Sequence, residues 1–414
     1  MHRREVLAGL IGLSSTALVQ PVWSARSRLK VGVVGGGIVG ASVAMHLAQA
    51  GADVVLFEKL GPAQGATQNS FAWVNAFVDD AHYRALRIQS LLAYRKLDET
   101  LALKMVWGGY ANWASNSDEA QVVRSNAKQL ADSPYPVRAV TADELAKLDP
   151  NVTPGLITEA FYSSIDAHLD PVFVTRRFLD VAAKSGAKVL YPCELSALQV
   201  SAGRLKAAVT SQGTFPLDRL VVAAGVDTPR VLAMANHQLT LKHAPGILAH
   251  SMSLPPLTRL VHDAPGDLSF KQMADGSVVA EDAPGPPDIP AHKGISAHAE
   301  QFPSDAVRNY HGNRILTKVG RFLPGARAVQ LGRLTLGFRP MPVDEFPVMG
   351  ALQSLPDIHV AVTHSGVTLA PIVGRLTAEE VLQGSRAEML SPYRPERFTS
   401  VQRPQAGRLP RISV

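Results

Sequence analysis

The first sixty residues combine apolar runs with helical periodicity and predict a β-α-β unit. Residues 31–34 form a short apolar run typical of a buried strand. Residues 41–50 place apolar side chains at helical spacing, and they are followed by Gly51, a residue type that often ends helices. Residues 53–57 are again apolar and predict a second buried strand.

The rest of the chain contains both periodicities. Helices are predicted over residues 82–104, 172–185, 306–323 and 368–383. Strands are predicted over residues 187–190, 219–225, 259–261 and 277–280. Thr141 and Glu144 have the spacing of a capping box, which predicts a short helix at that point. The pattern therefore predicts an α/β protein, and its later short strands suit an antiparallel sheet.

The composition excludes several classes of protein. Of 414 residues, 46% are hydrophobic and 18% charged, so the chain can bury a core. The formal net charge is +6, but residues 1–28 carry +3 and residues 385–414 carry +4. Residues 29–384 therefore carry −1, which gives no electrostatic basis for binding nucleic acid. Since Cys193 is the single cysteine, we expect no intramolecular disulfide and no cysteine metal cluster, and we assign no metal ligands.

The N-terminus has the pattern of an export signal. Arg3 and Arg4 precede an apolar run over residues 6–19 that is too short to span a bilayer comfortably, and small residues follow at Ser24 and Ala25. The paired arginines resemble twin-arginine signals, which export folded proteins. An ordinary amphipathic helix is the alternative. We expect a periplasmic or secreted protein that has no transmembrane helix after removal of the signal.

The glycines between the first strand and the first helix have the spacing of a dinucleotide-binding turn. Gly35, Gly37 and Gly40 form the pattern G-x-G-x-x-G. The first glycine permits a tight turn, the second lets the backbone approach a pyrophosphate, and the third lets helix and strand pack closely. The N-terminus of the helix adds unpaired N–H groups and a partial positive charge. The complete unit is far more specific than three glycines alone.

An acidic residue follows at the position that contacts a ribose in such units. Glu58 stands at the end of the second strand, where a carboxylate can accept hydrogen bonds from ribose hydroxyls. This position favours NAD or FAD over NADP. A nicotinamide dehydrogenase usually continues with regular βα units, whereas residues 61–80 form a polar, glycine-containing loop.

Four separated segments resemble the D-amino-acid oxidase superfamily, the flavoenzymes that include glycine oxidase, monomeric sarcosine oxidase and D-amino-acid dehydrogenase. The segments are the glycine unit with its loop 65–70, residues 166–171, residues 219–225, and residues 337–350 with 363–371. The last segment is the most specific, with Gly-Phe-Arg-Pro at 337–340 and Thr-His-Ser-Gly at 363–366. One departure is Asp344-Glu345-Phe346, where the family often has Asp-Gly.

The resemblance implies a Rossmann-like FAD-binding domain of the glutathione reductase type. An α+β substrate domain built on an antiparallel sheet would be inserted into it. The FAD-binding domain would comprise residues 29–80, 151–230 and 331–384, and the substrate domain residues 81–150 and 231–330. Residues 385–414, with six arginines and four prolines, would form a loosely packed basic tail.

The resemblance also implies which residues contact FAD. They are Gly35, Gly37, Ile38, Val39, Gly40, Glu58, Lys59, Ala66, Thr67, Asn69, Ser70, Leu195, Ala224, Gly225, Arg339, Ser365, Gly366, Val367 and Thr368. The helix after Ser365 would direct its first N–H groups at the flavin edge where negative charge develops, although Ser365 could also be a plain N-cap. Cys193 lies in the wrong segment to tether FAD, and no histidine closely follows Glu58, so we expect non-covalent binding.

Arg339 and His364 are the candidate catalytic residues. Arg339 can hold a substrate carboxylate through its planar fork, as the matching arginine does in several members of the family. A salt bridge from Arg339 to Asp344 is the alternative. His364 could act as a base, orient the substrate or bind the backbone. Further contributions could come from a group of residues that more often serve packing or the surface: Tyr110, Trp113, Phe270, Lys271 and Glu281.

The leading hypothesis is an FAD-dependent oxidoreductase that oxidises the C–N bond of an amino acid or secondary amine. Hydride transfer to flavin N5 would give an imine that hydrolyses. The alternatives are an FAD-dependent 2-hydroxy-acid dehydrogenase, a flavoprotein with a binding or assembly role, and a nicotinamide dehydrogenase. The oligomeric state and the electron acceptor, which could be oxygen, a quinone or a carrier protein, stay open.

Overall fold

The computed structural model describes residues 28–131, 134–282 and 304–398. The predicted export signal and the end of the basic tail lie outside these ranges. Among the described residues, no helix combines the length and the apolar character needed to cross a bilayer. The same part of the chain contains no cluster of histidine, cysteine or acidic residues arranged to hold a metal ion.

A six-stranded sheet contains the predicted β-α-β unit. Its strands in spatial order are β20 (Val348–Ala351), β21 (Ile358–Val362), β12 (Arg219–Val222), β1 (Lys30–Val34), β2 (Asp53–Phe57) and β8 (Lys188–Leu190). Neighbouring strands are parallel except for β20, which runs antiparallel to β21. The central strands are almost continuously apolar because both faces of the sheet are covered.

Helices cover one face of this sheet and a small meander covers the other. The helices are α1 (Ile38–Gln49), α5 (Pro171–Lys184) and α8 (Gly366–Gln383), with α1 packed against both of the others. The meander comprises β9 (Leu195–Ser201), β10 (Arg204–Thr210) and β11 (Gly213–Pro216). Cys193 is 1% exposed and lies in the core between the meander and the sheet, as a small apolar residue would.

An eight-stranded sheet forms the second half of the molecule. Its order is β18 (Leu331–Phe338), β14 (Pro245–Ser251), β17 (Val278–Asp282), β16 (Leu268–Gln272), β15 (Val261–Ala264), β4 (Tyr110–Ala114), β6 (Glu159–Ser163) and β5 (Val137–Ala139). The pairs are antiparallel apart from β15 with β4. The back of the sheet packs on α7 (Asp305–Phe322), and the front joins the core that contains α1 and α8.

The remaining elements connect the two sheets. They are β3 (Trp73–Val74) with β7 (Ala167–His168), β13 (Leu241–Lys242) with β19 (Met341–Pro342), α2 (Ala81–Leu101), α3 (Ser117–Ala131), α4 (Ala142–Leu148) and α6 (Thr228–Ala233). In α4 the Thr141 side chain accepts a hydrogen bond from the Glu144 N–H, and the Glu144 carboxylate accepts one from the Thr141 N–H. These two bonds confirm the predicted capping box.

Two strands lie in a different sheet from the one that the predicted domain boundaries imply. Residues 159–163 and 331–338 fall within segments assigned to the FAD-binding domain, yet both strands pair within the eight-stranded sheet. Their partners, β4 and β14, lie far away in sequence. Because strand pairing at such separation leaves little trace in local patterning, the boundaries are displaced by the length of a strand or more.

The prediction of a loosely packed tail was wrong for residues 388–398. Two 3₁₀ segments, Glu388–Tyr393 and Pro395–Phe398, pack against the body of the protein, and Leu390 and Tyr393 are nearly inaccessible to solvent. Between them, Arg394 forms a buried ion pair with Glu380 of α8 at 2.7 Å. The charge of Arg394, one of the arginines that suggested a solvated tail, is therefore neutralised inside the protein.

Candidate active site

A cleft opens between the two sheets, at the carboxyl ends of the parallel strands. It encloses about 1520 Å³ of empty space, with open solvent at its mouth included. Its walls include the residues that follow β1, β2, β12 and β21, the first turns of α1 and α8, and residues of β14, β17 and β18. Ligands bind at this edge in open α/β sheets, where the helix N-termini also converge.

The turn after β1 fits a bound pyrophosphate. Gly35 has φ +109°, and a Cβ there would lie 2.4 Å from the Ala223 carbonyl oxygen. A Cβ at Gly40 would lie 2.0 Å from the Gly35 carbonyl oxygen, so these two glycines are required by the fold itself. Gly37 differs, because its φ is −74° and a Cβ would meet only the Thr67 hydroxyl, at 3.2 Å. Its missing side chain instead keeps the cleft open to a ligand.

The acidic residue after β2 is held in a fixed orientation at the cleft. Glu58 accepts hydrogen bonds from the Gly36 N–H at 2.6 Å and the Leu60 N–H at 2.8 Å. Next to it, Lys59 forms an ion pair with Asp227, which also lines the cleft, at 2.7 Å. Each oxygen of Glu58 has a further lone pair for a ribose hydroxyl.

The predicted loop between Gly65 and Ser70 forms part of the same wall. Thr67 accepts from the Ile38 N–H at 3.1 Å, so the loop is attached to the first turn of α1. Asn69 packs against Gly337, where a Cβ would lie 2.6 Å from the Asn69 Cβ. The loop therefore joins the glycine turn at one end of the cleft to the end of β18.

Helix α8 directs its N-terminus into the cleft. It begins at Gly366, two residues before the sequence-based boundary, and the Ser365 side chain does not cap it. Ser365 does occupy the predicted N-cap position, but its hydroxyl lies 3.3 Å from His364 Nδ1 and makes no capping bond. Tyr94 donates to the Val367 carbonyl at 2.6 Å, which fixes the first turn from behind. The exposed amides of such a turn stabilise negative charge that develops in front of them.

Arg339 lies in the cleft just beyond β18. It sits over Gly246 of β14, where a Cβ would be 3.9 Å from the Arg339 Nε and Nη2 atoms. The alternative salt bridge from Arg339 to Asp344 is not formed. Asp344 instead accepts from Arg397 at 2.7 Å and 3.0 Å, in a forked arrangement supplied by the packed C-terminal segment. Arg339 lines the cleft, so its guanidinium adds positive charge to that wall.

His364 faces the cleft from the end of β21. Burial is the main cause that lowers its pKa to about 3, and the positive charges of Arg87 and Arg339 lower it further. A backbone hydrogen bond to Glu345 acts in the opposite direction. The imidazole is therefore neutral at physiological pH. It can donate or accept a hydrogen bond, but it is a weak base.

Two buried ionisable residues at this wall, Glu281 and Lys271, influence each other's charge. Glu281 lines the cleft, and burial raises its pKa to about 7 despite the opposing effect of Arg339. Lys271 lies behind the wall, where its ammonium donates to the Ala72 carbonyl at 3.2 Å and burial lowers its pKa to about 7. Sequence reasoning gave both residues little weight.

The structure brings most of the predicted site residues together in this cleft. Those that line it are Gly35, Gly37, Ile38, Val39, Glu58, Lys59, Ala66, Thr67, Asn69, Ser70, Ala224, Gly225, Arg339, His364, Ser365, Gly366, Val367 and Thr368. Gly40 lies behind the turn, as its packing role requires. Leu195 is buried in the meander core, and only its backbone carbonyl, bound by Arg230, points to a neighbouring element.

Several cleft residues escaped the sequence analysis. They include Phe71, Ala72, Trp73, Asp227, Gly246 and Leu248, and Glu281 was named there with little weight. Residues 71–73 directly continue the predicted loop, so their proximity in sequence was a usable signal. The residues of β14 and β17 carried no such signal, because only the pairing of distant strands brings them to the site.

Comparison with known proteins identifies the family. The model of the DAO family, described as FAD dependent oxidoreductase, matches residues 30–380. The chain belongs to this family. FAD is therefore the cofactor, and the glycine turn, Glu58 and the N-terminus of α8 are the groups that would hold it.

Two relatives show how far the sequence similarity extends. The chain is 26% identical to glycine oxidase of Bacillus licheniformis over 396 residues, which cover 91% of this chain and 100% of that protein. It is 23% identical to mitochondrial dimethylglycine dehydrogenase of Homo sapiens over 398 residues, which cover 90% of this chain but 45% of that protein. The chain thus spans the whole of one relative and about half of the other.

Solved structures show the same fold. L-proline dehydrogenase from P. horikoshii superposes with a TM-score of 0.79 at 20% identity, covering 90% of this chain and 98% of that one. Glycine oxidase from Geobacillus kaustophilus superposes with a TM-score of 0.78 at 22% identity, covering 89% of this chain and 98% of that one. The predicted α/β architecture, a Rossmann-like FAD-binding fold, is confirmed.

Proposed function

We propose that this FAD-dependent oxidoreductase oxidises the C–N bond of an amino acid or secondary amine to an imine, which then hydrolyses. The observation that supports this most directly is the position of Arg339. A guanidinium lines the same cleft as the N-terminus of α8, so a carboxylate-bearing substrate has a partner inside the cofactor site. The relatives named glycine oxidase and dimethylglycine dehydrogenase act on compounds of this kind.

Each residue of the cleft has a distinct task in this proposal. FAD, held non-covalently, supplies the hydride acceptor at N5. Arg339 binds the substrate carboxylate and fixes the orientation of the carbon that is oxidised. The amides at the start of α8 stabilise negative charge, and His364, neutral because of its lowered pKa, orients a neighbouring group by hydrogen bonding. Since the amine must lose its proton before hydride leaves, the proton has to move to a nearby acceptor or to solvent.

Anaerobic substrate reduction tests the proposal. The purified protein is mixed without oxygen with a panel of amino acids, N-methyl amino acids and 2-hydroxy acids, and flavin absorbance is followed. We expect bleaching by at least one amine and by no hydroxy acid. Bleaching by hydroxy acids alone would replace the proposal with a 2-hydroxy-acid dehydrogenase, and no bleaching by any compound would favour a binding role. Admission of air, with an assay for peroxide, then separates an oxidase from a dehydrogenase.

We also propose that residues 1–25 direct export of the protein through a twin-arginine route to the periplasm or beyond. The support is the pattern of Arg3 and Arg4 before a short apolar run. A cofactor enclosed by a finished fold suits a route that carries folded proteins.

A further inference from the structure

The position of Glu281 in its strand determines which way its side chain points. Strand β17 alternates between the two faces of the eight-stranded sheet. Its neighbour Asp282 pairs with Arg314 and Lys318 of α7, on the back of the sheet. Ala280 also belongs to the back core. Glu281 therefore projects from the front of the sheet, where it lines the cleft.

The carboxylate of Glu281 is buried without a full set of partners. The residue is 9% exposed, and its Oε1 atom has no hydrogen-bond partner among the described residues. A buried, unpaired carboxylate oxygen costs free energy unless a ligand or a proton satisfies it. In this respect it differs from Asp263 on the same face, which accepts from Tyr110 at 2.6 Å and Ser269 at 2.5 Å.

The charges around Glu281 are arranged asymmetrically. Arg339 exerts the strongest attraction on it and lines the same cleft, whereas Lys271 is 1% exposed and bonded to the Ala72 carbonyl behind the wall. A ligand near Arg339 therefore meets a guanidinium and the carboxylate of Glu281, whereas Glu58, Lys59 and Asp227 line the cleft beside the glycine turn. An α-amino acid presents the complementary pair, an anionic carboxylate and a cationic amine on adjacent atoms.

We propose that Glu281 binds the amine nitrogen of the substrate and makes the enzyme selective for zwitterionic amino acids over carboxylates of similar shape that lack the amine. This inference rests on the proposed function, in which Arg339 binds the carboxylate. Arg339 cannot distinguish an amino acid from a 2-hydroxy acid, because its guanidinium recognises the carboxylate that both contain. Glu281 supplies this selectivity. A carboxylate facing the nitrogen favours the cationic amine, which gains a charge-assisted hydrogen bond.

A matched pair of ligands isolates this contact. N-methylglycine and methoxyacetate have the same shape and the same carboxylate. N-methylglycine has an ammonium group at the position where methoxyacetate has an ether oxygen. Each is titrated anaerobically into the holoenzyme at pH 8, where Glu281 is ionised because its pKa is about 7. Flavin absorbance reports half-saturation by spectral shift or by reduction. We expect wild type to prefer N-methylglycine, and Glu281→Gln to reduce that preference by about tenfold or more.

Three variants serve as controls. Arg339→Ala should weaken both ligands alike, because both present the carboxylate. Glu159→Gln removes a carboxylate from β6 of the same sheet that is paired with Arg124 at 2.8 Å outside the cleft, and it should leave the preference unchanged. Glu281→Asp keeps the negative charge but holds it farther from the ligand, because the side chain is one methylene shorter. It should therefore give an intermediate preference. Flavin content and melting temperature establish that each variant is folded.

The possible outcomes separate the inference from the proposed function. Equal binding of the two ligands to wild type, or an unchanged preference in both Glu281 variants, would overturn the role of Glu281 and leave amine oxidation standing. If wild type binds neither ligand, the comparison is repeated with the amine of the panel that bleaches the flavin and its ether or hydroxy analogue. Failure of every amine to bleach the flavin would overturn the proposed function and this inference with it.

Discussion

Gly35, Gly37 and Gly40 look equivalent in the sequence, but the structure distinguishes them. A Cβ at Gly35 or at Gly40 would lie 2.4 Å or 2.0 Å, respectively, from a backbone carbonyl oxygen, so these two glycines prevent collisions within the protein. Gly37 prevents no such collision, so its side is open to the cofactor. A motif thus predicted where FAD binds, while the structure was needed to separate residues that serve the fold from the one that serves the ligand.

Substitution at Gly37 should therefore affect the cofactor more than the fold. We expect Gly37→Val to abolish FAD retention, because its branched side chain occupies the space of the pyrophosphate, and Gly37→Ala to reduce retention partially. The measurement is the ratio of flavin to protein absorbance after purification, with circular dichroism as the check on folding. A Gly37→Val protein isolated with full flavin would contradict this placement.

Arg339 should matter for substrate binding. Loss of its charged contact with a carboxylate is worth about 2–4 kcal/mol, so Arg339→Ala should raise KM for an acidic substrate by roughly 30-fold to 1000-fold. The matched control is Arg333→Ala, which removes an exposed arginine from the same strand outside the cleft. Steady-state kinetics with the best substrate of the panel distinguish the two, and an unchanged KM in Arg339→Ala would remove the assigned role.

Several residues were named in the sequence analysis only as possible contributors to the site. The face of the sheet on which each of them lies determines whether it is on the side of the cleft. Trp113 and Phe270 belong to the back core against α7, whereas Glu281 and Lys271 belong to the front. The short strands 268–272 and 278–282 are buried at every position, so no polar alternation marks their two faces. The sequence therefore could not rank these residues, and the sheet register does.

At the scale of elements, local signals predicted most of the described helices to within a few residues but fewer than half of the described strands. Asp170 caps α5 by accepting from the Val172 and Phe173 N–H groups, and the capping box opens α4 as expected. The C-terminal segment was mispredicted because its proline and arginine content resembles that of a solvated chain. Its packing includes the contact of Arg394 with Glu380 of α8, which local patterning does not reveal.

The ion pair between Arg394 and Glu380 should anchor that segment. Its side chains are 7% and 4% exposed, so Arg394→Met leaves a buried carboxylate unpaired and should destabilise the protein by about 3–5 kcal/mol. Chemical denaturation of the holoenzyme measures the effect. The double variant Arg394→Met with Glu380→Leu should recover much of the loss, since it removes both charges.

A control for the ion pair is available on the same helix. Arg375 pairs with Glu379 at 2.6 Å, but the two side chains are 46% and 41% exposed. Arg375→Ala should change stability by no more than about 0.5 kcal/mol. A comparable loss in both variants would mean that helix α8, rather than the buried pair, is the sensitive element.

At the scale of the whole molecule, buried histidines should make stability depend on pH. Burial lowers the pKa of His359 from 6.5 to about 4. Between these values the unfolded chain binds a proton that the folded protein does not, so stability is full above pH 6.5 and is lost as pH falls toward 4. The contribution is about 3 kcal/mol for a shift of this size.

Comparison with His359→Gln isolates this contribution. Asp166 and Glu281 have raised pKa values, so in part of the same pH range they stabilise the protein as the pH falls. The pH dependence of the stability of wild type alone therefore combines opposing contributions. We expect the variant to lose less stability than wild type between pH 6.5 and pH 4.5, measured by urea unfolding. Parallel curves for the two proteins would contradict the assignment.

Export is the remaining prediction at this scale. Replacement of Arg3 and Arg4 by lysine should leave the protein in the cytoplasm of a host that has the twin-arginine machinery, because the signal depends on the arginine pair rather than on charge. Cell fractionation with immunodetection measures this. Arg26→Lys is the control, since it changes an arginine beyond the predicted cleavage site, and it should be exported normally.

The composition of the cleft has a consequence for biogenesis. Its walls come from residues 35–73, 223–248, 281 and 337–368, so the site combines segments that lie far apart in the sequence. No N-terminal intermediate emerging from the ribosome can enclose FAD. Cofactor loading is therefore a late event, which requires that residues 337–368 have been synthesised.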